Sequence, residues 1–225
     1  MQLAEATRRR LVVVLARAAE LGWLGPGPVD KHIDHGLAIA AVVADLGTRC
    51  PQNPQAVLDL GSGGGAPGLI VGACVHPRPV TLLEVAVRRV AFLRTAAAEL
   101  ADVATLDVAE GRAEELARRP ELDGHYGIVV ARSFGRPAVT AECATRFLAD
   151  GGWLVVSEPP DPDEGEAQAS GGGRRWDLAG LTRLGFAAPE ICDPPRPRVA
   201  RLQKVGPTDE RYPRRVGVPA KRPLW

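Results

Sequence analysis

Apolar positions recur along this chain with two periods, and the alternation between them lays out the elements. Residues 3–24 place Leu11, Val14, Leu15 and Ala18 at helical spacing, with Arg8, Arg9, Arg10 and Arg17 among them. This predicts a helix with a solvated basic face. Gly25-Pro26-Gly27-Pro28 breaks it. A second helix is predicted from Asp30, a suitable N-cap, to about Gly47. A short apolar run, Ala56 to Leu60, then leads into a glycine loop, and a third helix is expected from about Ala66 and Pro67 to Val75. Strands are predicted over 80–84, 103–108, 126–131 and 153–157. Helices are predicted over 87–100, 113–118 and 137–148, the last with proline in its first turn, where a missing N–H costs nothing. A helix over 176–184 and a strand pair over 186–191 and 199–205 close the pattern. Pro194-Pro195-Arg196-Pro197 lies between those two strands, so they should run antiparallel.

Strand–helix alternation of this kind implies right-handed crossovers and an α/β, Rossmann-like fold. The sheet is mostly parallel, with helices on both faces and an antiparallel last strand. Ligands then bind beyond the C-terminal ends of the strands. Asp59, Glu84 and Arg132 fall at such ends.

The chemistry concentrates in Asp59-Leu60-Gly61-Ser62-Gly63-Gly64-Gly65-Ala66-Pro67-Gly68. Glycines let the backbone turn sharply and approach a ligand, and the opening helix aims free N–H groups at the same place. A bare tight turn is the plainer alternative, but it needs fewer glycines than this. The spacing Gly61-x-Gly63-x-x-Ala66 also fits a dinucleotide fingerprint. Other features favour S-adenosyl-L-methionine. Asp59 stands two residues before the first glycine. Ser62 sits in a Gly61-x-Gly63-x-Gly65 loop wide enough for an amino-acid tail. Glu84, ending the next strand, can take ribose hydroxyls, although NAD proteins share that feature. No Gly-Lys-Ser/Thr follows, which excludes a Walker phosphate loop.

At 225 residues and 45% hydrophobic, the chain has ample material for one large core. The expected organisation is a helical extension over 1–50, a cofactor domain over 51–206 and a basic tail over 207–225. Residues 158–173, acidic and proline-rich, are expected to form a mobile loop within the domain. A net charge of +1 hides an uneven distribution. From Arg196 onward nine basic residues face only Asp209 and Glu210, with Tyr212 and Trp225 interleaved. That composition suits a nucleic-acid backbone, and Arg214, Arg215 and Lys221 are the substrate-binding candidates. A solvated tail packed along the domain is the alternative. Cys50, Cys74, Cys143 and Cys192 lack CxxC spacing and read as reduced residues of a cytoplasmic protein. The longest apolar run near the N-terminus, Leu11 to Leu15, is too short for a membrane span. His32 and Asp34 do not share a helix face, so no metal site is expected there, only a polar helix start touching the loop.

These residues resemble the glucose-inhibited division protein B family, methyltransferases that modify guanine N7 in 16S ribosomal RNA. The resemblance runs from about residue 29 to the end. It is carried by Asp59 to Gly68, by Leu82-Leu83-Glu84 with Arg88-Arg89 and Phe92-Leu93-Arg94, and by Arg112-Ala113-Glu114-Glu115. Ala131-Arg132-Ser133 and the C-terminal run from Arg211 to Leu224 complete it. It implies a class I methyltransferase with S-adenosyl-L-methionine as cofactor. Gly61 and Ala66 would line the methionine side, Glu84 would hold the ribose, and Ala113 and Glu114 would flank the adenine. Arg132 would stand between cofactor and substrate as the catalytic candidate. A monomer acting on ribosomal RNA or the small subunit, with neither metal nor membrane, is expected. Three places depart from the family, the first being Gly25 to Val29 where it has Asn-Leu-Thr. Lys31-His32-Ile33-Asp34-His35 stands for Arg-His-x-x-Asp-Ser, and Ser157-Glu158-Pro159 stands where the family has Lys-Gly. An acid in place of a cation keeps two alternatives open, namely another RNA or a small molecule as acceptor, or a non-catalytic cofactor-binding module.

Overall fold

The computed structural model describes residues 3–49, 55–159, 175–192 and 198–225. A seven-stranded sheet forms the centre, in the order β3-β2-β1-β4-β5-β7-β6. Strand β1 (Val57–Leu60) is buried at every position. A central strand covered on both faces reads as an unbroken apolar run, and this one does, save for Asp59. Successive residues point to opposite sides. Val57, Val130 and Val155 enter one core cluster, whereas Leu58, Val129 and Leu154 enter the other.

The first cluster gathers α1 (Glu5–Glu20), α2 (Val29–Arg49), α3 (Gly68–Val75) and α4 (Val87–Glu99) against β2 (Pro79–Glu84) and the central strands. The second gathers α5 (Ala113–Leu116), α6 (Pro137–Ala144) and α7 (Leu178–Arg183) against β4 (Tyr126–Ala131) and β5 (Leu148–Ser157). Strands β1, β2, β3 (Thr105–Glu110), β4 and β5 are parallel. The strand β7 (Val199–Gln203) runs antiparallel between β5 and β6 (Glu190–Cys192), so the antiparallel ending of the sheet is borne out. Strand order reverses between β1 and β4, which places Asp59 and Arg132 at the topological switch, where open α/β sheets bind ligands.

Several boundaries differ from the sequence expectation. Helix α1 stops at Glu20, and Trp23 is held back on the helix by its N–H to Ala18 carbonyl bond of 2.9 Å. The arginines of α1 are not merely solvated. Arg8 meets Asp30 at 2.8 Å, Arg10 meets Asp102 at 2.7 Å, and Arg17 pairs with Glu99. Such exposed pairs are each worth about 0–1 kcal/mol and act mainly to set register. Strand β3 begins two residues late, because Val103 and Ala104 still bond to the Leu100 carbonyl, both at 2.9 Å. Helix α6 ends at Ala144, and a 3-10 turn over Thr145–Phe147 feeds a longer β5. The strand expected over 186–191 shrinks to Glu190–Cys192 with a lone bridge from Phe186 to Lys204. Helix α7 starts at Leu178, capped by the Asp177 carboxylate, which accepts the Gly180 N–H at 2.7 Å. The proline-rich 194–197 connection, Cys50, and all but Glu158 and Pro159 of the acidic segment lie outside the described residues. Helix α8 (Val218–Lys221) ends the fold.

Candidate functional site: two joined cavities at the switch point

The loop between β1 and α3 is built by its glycines. Gly61, Gly63 and Gly65 have φ of 76°, 55° and 96°, which side chains rarely tolerate. A Cβ on Gly61 would sit 2.6 Å from the Phe134 ring, and one on Gly65 would collide with Leu69. The Gly61 and Ser62 amides bond to the Leu83 carbonyl at 3.0 and 2.9 Å, tying the loop to β2. Ser62 Oγ donates to the Asp59 carbonyl at 3.1 Å. Below the loop, the Asp59 carboxylate is 1% exposed, and its Oδ2 accepts the Gly68 N–H at 3.1 Å. Asp59 thus joins the end of β1 to the start of α3, the ordering role its position suggests. Its Oδ1 is buried without a partner, and burial pushes the carboxyl up to about 7 against the pull of Gly68 and Arg132.

Glu84 ends β2 almost wholly buried. Its carboxylate accepts three backbone amides: Gly63 N–H at 2.9 Å, Val85 N–H at 2.8 Å and Ala86 N–H at 2.9 Å. Arg89 approaches it at 3.8 Å. An ionised carboxylate offers about four acceptor sites, so capacity remains toward a ligand hydroxyl. Glu84 lines a cavity of about 310 Å³ together with Gly61, Arg112, Ala113, Glu114 and Phe134. Leu83, Phe134, Val139 and Cys143 give it apolar lining beside the charged Arg89, Arg112 and Glu114. A second cavity of about 220 Å³ is lined by Trp23, Gly25, Gly63, Ala66, Arg89 and Arg132, among others. Gly61, Arg89 and Ser133 line both, so the two share one wall across the glycine loop. One cavity has the room and the acid for a nucleoside and its ribose; the other is smaller and carries Arg89 and Arg132. The two suit the halves of S-adenosyl-L-methionine, and every residue expected to hold that cofactor except Asp59 and Gly65 lines the first or the second. Ser62 lines the second, Asp59 lies beneath, and Gly65 shapes the turn.

Arg132 follows β4 and is half-buried; burial lowers its guanidinium from the ordinary arginine value. Its Nη2 lies 2.9 Å from His32 Nδ1, and His32 Nε2 lies 3.0 Å from the Gly25 carbonyl. In the sequence His32 marks no more than a polar helix start touching the loop. No spacing rule links residues 32 and 132, and only the folded sheet brings them together. Among the described residues no group of three His, Cys, Asp or Glu gathers for a metal ion, and no helix is long and apolar enough to cross a membrane.

The tail behaves differently from a free basic arm. Arg214 donates from Nε and Nη2 to the fully buried Glu142 at 2.8 and 2.6 Å, and from Nη2 to the Arg222 carbonyl at 2.8 Å. The Gly217 N–H donates to Glu114 Oε1 at 3.0 Å, and Ala220 lines the larger cavity. Tyr212 is buried in the second core cluster. Arg215 and Lys221 remain exposed. Glu158, which replaces a cation of the resembled family, is not a bare acid. It pairs with Arg175 and accepts the Trp176 indole N–H at 3.0 Å, while Trp225 donates to the Arg175 carbonyl at 3.2 Å.

The profile of the family described as rRNA small subunit methyltransferase G (GidB) matches residues 29–164. The ribosomal RNA small subunit methyltransferase G of Pelotomaculum thermopropionicum is 34% identical over 204 residues, spanning 87% of this chain and 78% of its own. That of Deinococcus deserti is 36% identical over 176 residues, 75% of this chain and 68% of its own. Among solved structures, an S-adenosylmethionine-dependent O-methyltransferase of Thermotoga maritima aligns with TM-score 0.56 at 14% identity, covering 88% of this chain and 73% of that one. An S-adenosylmethionine-dependent methyltransferase of Aquifex aeolicus aligns with TM-score 0.55 at 14% identity, over 85% and 98%. At that identity the structures speak for the fold, and the class I methyltransferase architecture is theirs and this chain's.

Proposed function

We infer that this chain, which belongs to the rRNA small subunit methyltransferase G family, transfers a methyl group from S-adenosyl-L-methionine to N7 of a guanine in small-subunit (16S) ribosomal RNA. The observation that carries this reading is the pair of joined cavities at the switch point, one closed by Glu84 and the other by Arg132. A pyrophosphate-bearing dinucleotide would have to lay a second nucleotide where Trp23, Gly25 and Arg132 leave about 220 Å³.

The cofactor supplies a sulfonium methyl, an electrophile that needs no further activation. Guanine N7 carries a free lone pair, so the chain need not remove a proton before attack. What remains for the protein is placement, and rigid placement of reacting groups accounts for large rate factors. Glu84 holds the ribose side, already fixed by three amides. Gly61, Gly63 and Gly65 let the backbone close around the amino-acid tail. Arg132 aims a cation at the junction, positioning the guanine or the cofactor carboxylate. N7 faces the major groove, which is too deep and narrow in duplex RNA for side chains, so the target guanine must be unpaired or splayed out. Arg215 and Lys221, both exposed on the tail, are the cations offered to phosphates, while Arg214 anchors that tail to Glu142. The acid at Glu158 had favoured other acceptors. Paired with Arg175 and Trp176, it presents no free negative charge to an RNA, and that ground for a different substrate falls away.

The test is direct. The protein is incubated with methyl-labelled cofactor and small ribosomal subunits, or their naked RNA, from a strain lacking the family's modification. Label in the RNA supports the reading. Absence of label, with calorimetry confirming cofactor binding, overturns the substrate and leaves the site. Tighter binding of NAD than of S-adenosylhomocysteine overturns the cofactor.

A further inference from the structure

His32 sits in the first turns of α2, 3% exposed, between two residues that both line the second cavity. Each partner permits only one role. The Gly25 carbonyl can only accept, so Nε2 at 3.0 Å must carry a hydrogen. The Arg132 guanidinium can only donate, so Nδ1 at 2.9 Å must present its lone pair. The ring is therefore neutral, in one tautomer, and it is a strut. One end fixes the connector after α1, whose Trp23, Leu24 and Gly25 form a wall of the cavity, and the other fixes the guanidinium. We propose that His32 is the positioning residue of the methyl-transfer site, and that its neutral Nε2–H form holds Arg132 in place.

This rests on the methyl-transfer reading for its consequence, though not for its geometry. A second proton on His32 would go to Nδ1, toward a cation, and would break the link to Arg132. The groups facing His32 make that proton unwelcome. Arg132 lies beyond β4, and His35 stands on α2 itself, bound through Nε2 to Ser157 Oγ at 3.0 Å. From β1, Asp59 faces Arg132, while Asp30 and Asp34 turn to Arg8 of α1. Burial and Arg132 both lower the His32 pKa below its ordinary value, in the direction the hydrogen bonds require.

Two measurements test this. The first is nitrogen NMR of the four histidines, with His32→Gln used to assign the signal. The expected result at pH 7.5 is a neutral ring protonated on Nε2. A ring protonated on Nδ1, or charged, overturns the proposal, and this holds whether or not the protein methylates RNA. The second is kcat against pH. His32→Ala is expected to lose roughly 10- to 100-fold in kcat, the scale of a small misplacement, with a smaller rise in KM for the cofactor, whose cavity wall the ring also fixes. Glutamine can donate to the Gly25 carbonyl and accept from Arg132 without titrating. His32→Gln is therefore expected to recover most of the loss and to flatten the acid limb of the profile. An acid limb unchanged in His32→Gln would assign it to Asp59 or His35 and overturn the proposal. So would a His32→Ala protein with full kcat. If the wild-type chain transfers no methyl to RNA while NMR finds the Nε2–H form, the substrate reading fails and the strut stands.

Discussion

Gly61 and Arg214 show how much a single residue decides here. Gly61 combines a φ of 76° with a Cβ position 2.6 Å from the Phe134 ring. Gly61→Ala must therefore either tilt the loop or displace the ring that walls the larger cavity. We expect cofactor affinity to fall at least about 10-fold, by calorimetry, with the strain costing about 1–3 kcal/mol. Arg214 satisfies Glu142, which is fully buried, and removing it leaves an uncompensated buried charge. Arg214→Ala should cost about 3–5 kcal/mol of stability in denaturant melts. Arg215→Ala, at an exposed position, should leave stability within about 0.5 kcal/mol. If the two variants melt alike, the tail is not anchored as described.

At the scale of elements, the C-terminal segment and α5 form one unit. The Gly217 N–H holds Glu114 at the wall of the larger cavity, Arg118 reaches the Pro213 carbonyl at 2.7 Å, and Ala220 lines the same cavity. Removing residues 214–225 should raise the dissociation constant for S-adenosylhomocysteine as well as weaken RNA binding. Unchanged cofactor affinity would refute the coupling. The sequence disclosed the sheet, because Val57, Leu58 and Leu60 and their counterparts in β4 and β5 carry unmistakable apolar runs. It also disclosed the loop, since its glycines and Asp59 are local signals. It placed the tail's arginines but not their partners. Arg214 and Glu142 lie 72 positions apart, and charge alone does not say whether an arginine faces phosphate or a buried carboxylate. The same holds for His32 and Arg132, 100 positions apart, and for Glu158, whose partner Arg175 follows a long acidic stretch. Boundaries moved where a turn continued a helix, as at Val103, or where a 3-10 turn replaced the last helical residues, as at Thr145.

For the whole molecule, charge and protonation set the working conditions. Arg215 and Lys221 are exposed cations of a chain whose family acts on ribosomal RNA, a polyanion. RNA affinity should fall steeply with salt, and replacing either cation with alanine should reduce the slope by about one. Stability should respond to pH through two buried groups acting in opposite directions. Burial holds His35 at about 4 against an ordinary 6.5, so its contribution is present above pH 6.5 and is lost as pH falls toward 4. Burial raises Asp59 from 3.8 to about 7, so its contribution is present below 3.8 and is lost as pH rises toward 7. Accordingly Asp59→Asn should gain stability relative to the parent between pH 5 and 8, and His35→Asn should lessen the loss between pH 6.5 and 4. Melts across this range in both variants decide it.

On the methyl-transfer reading, the two cavities bring a methyl donor to an exposed guanine N7 of small-subunit RNA. Its most direct test is nucleoside mass spectrometry of RNA digested after reaction with the unmodified small subunit. New 7-methylguanosine is expected, produced by the parent chain and sharply reduced by Arg132→Ala. Methylation on any other atom or nucleoside, or undiminished 7-methylguanosine from Arg132→Ala, would contradict it.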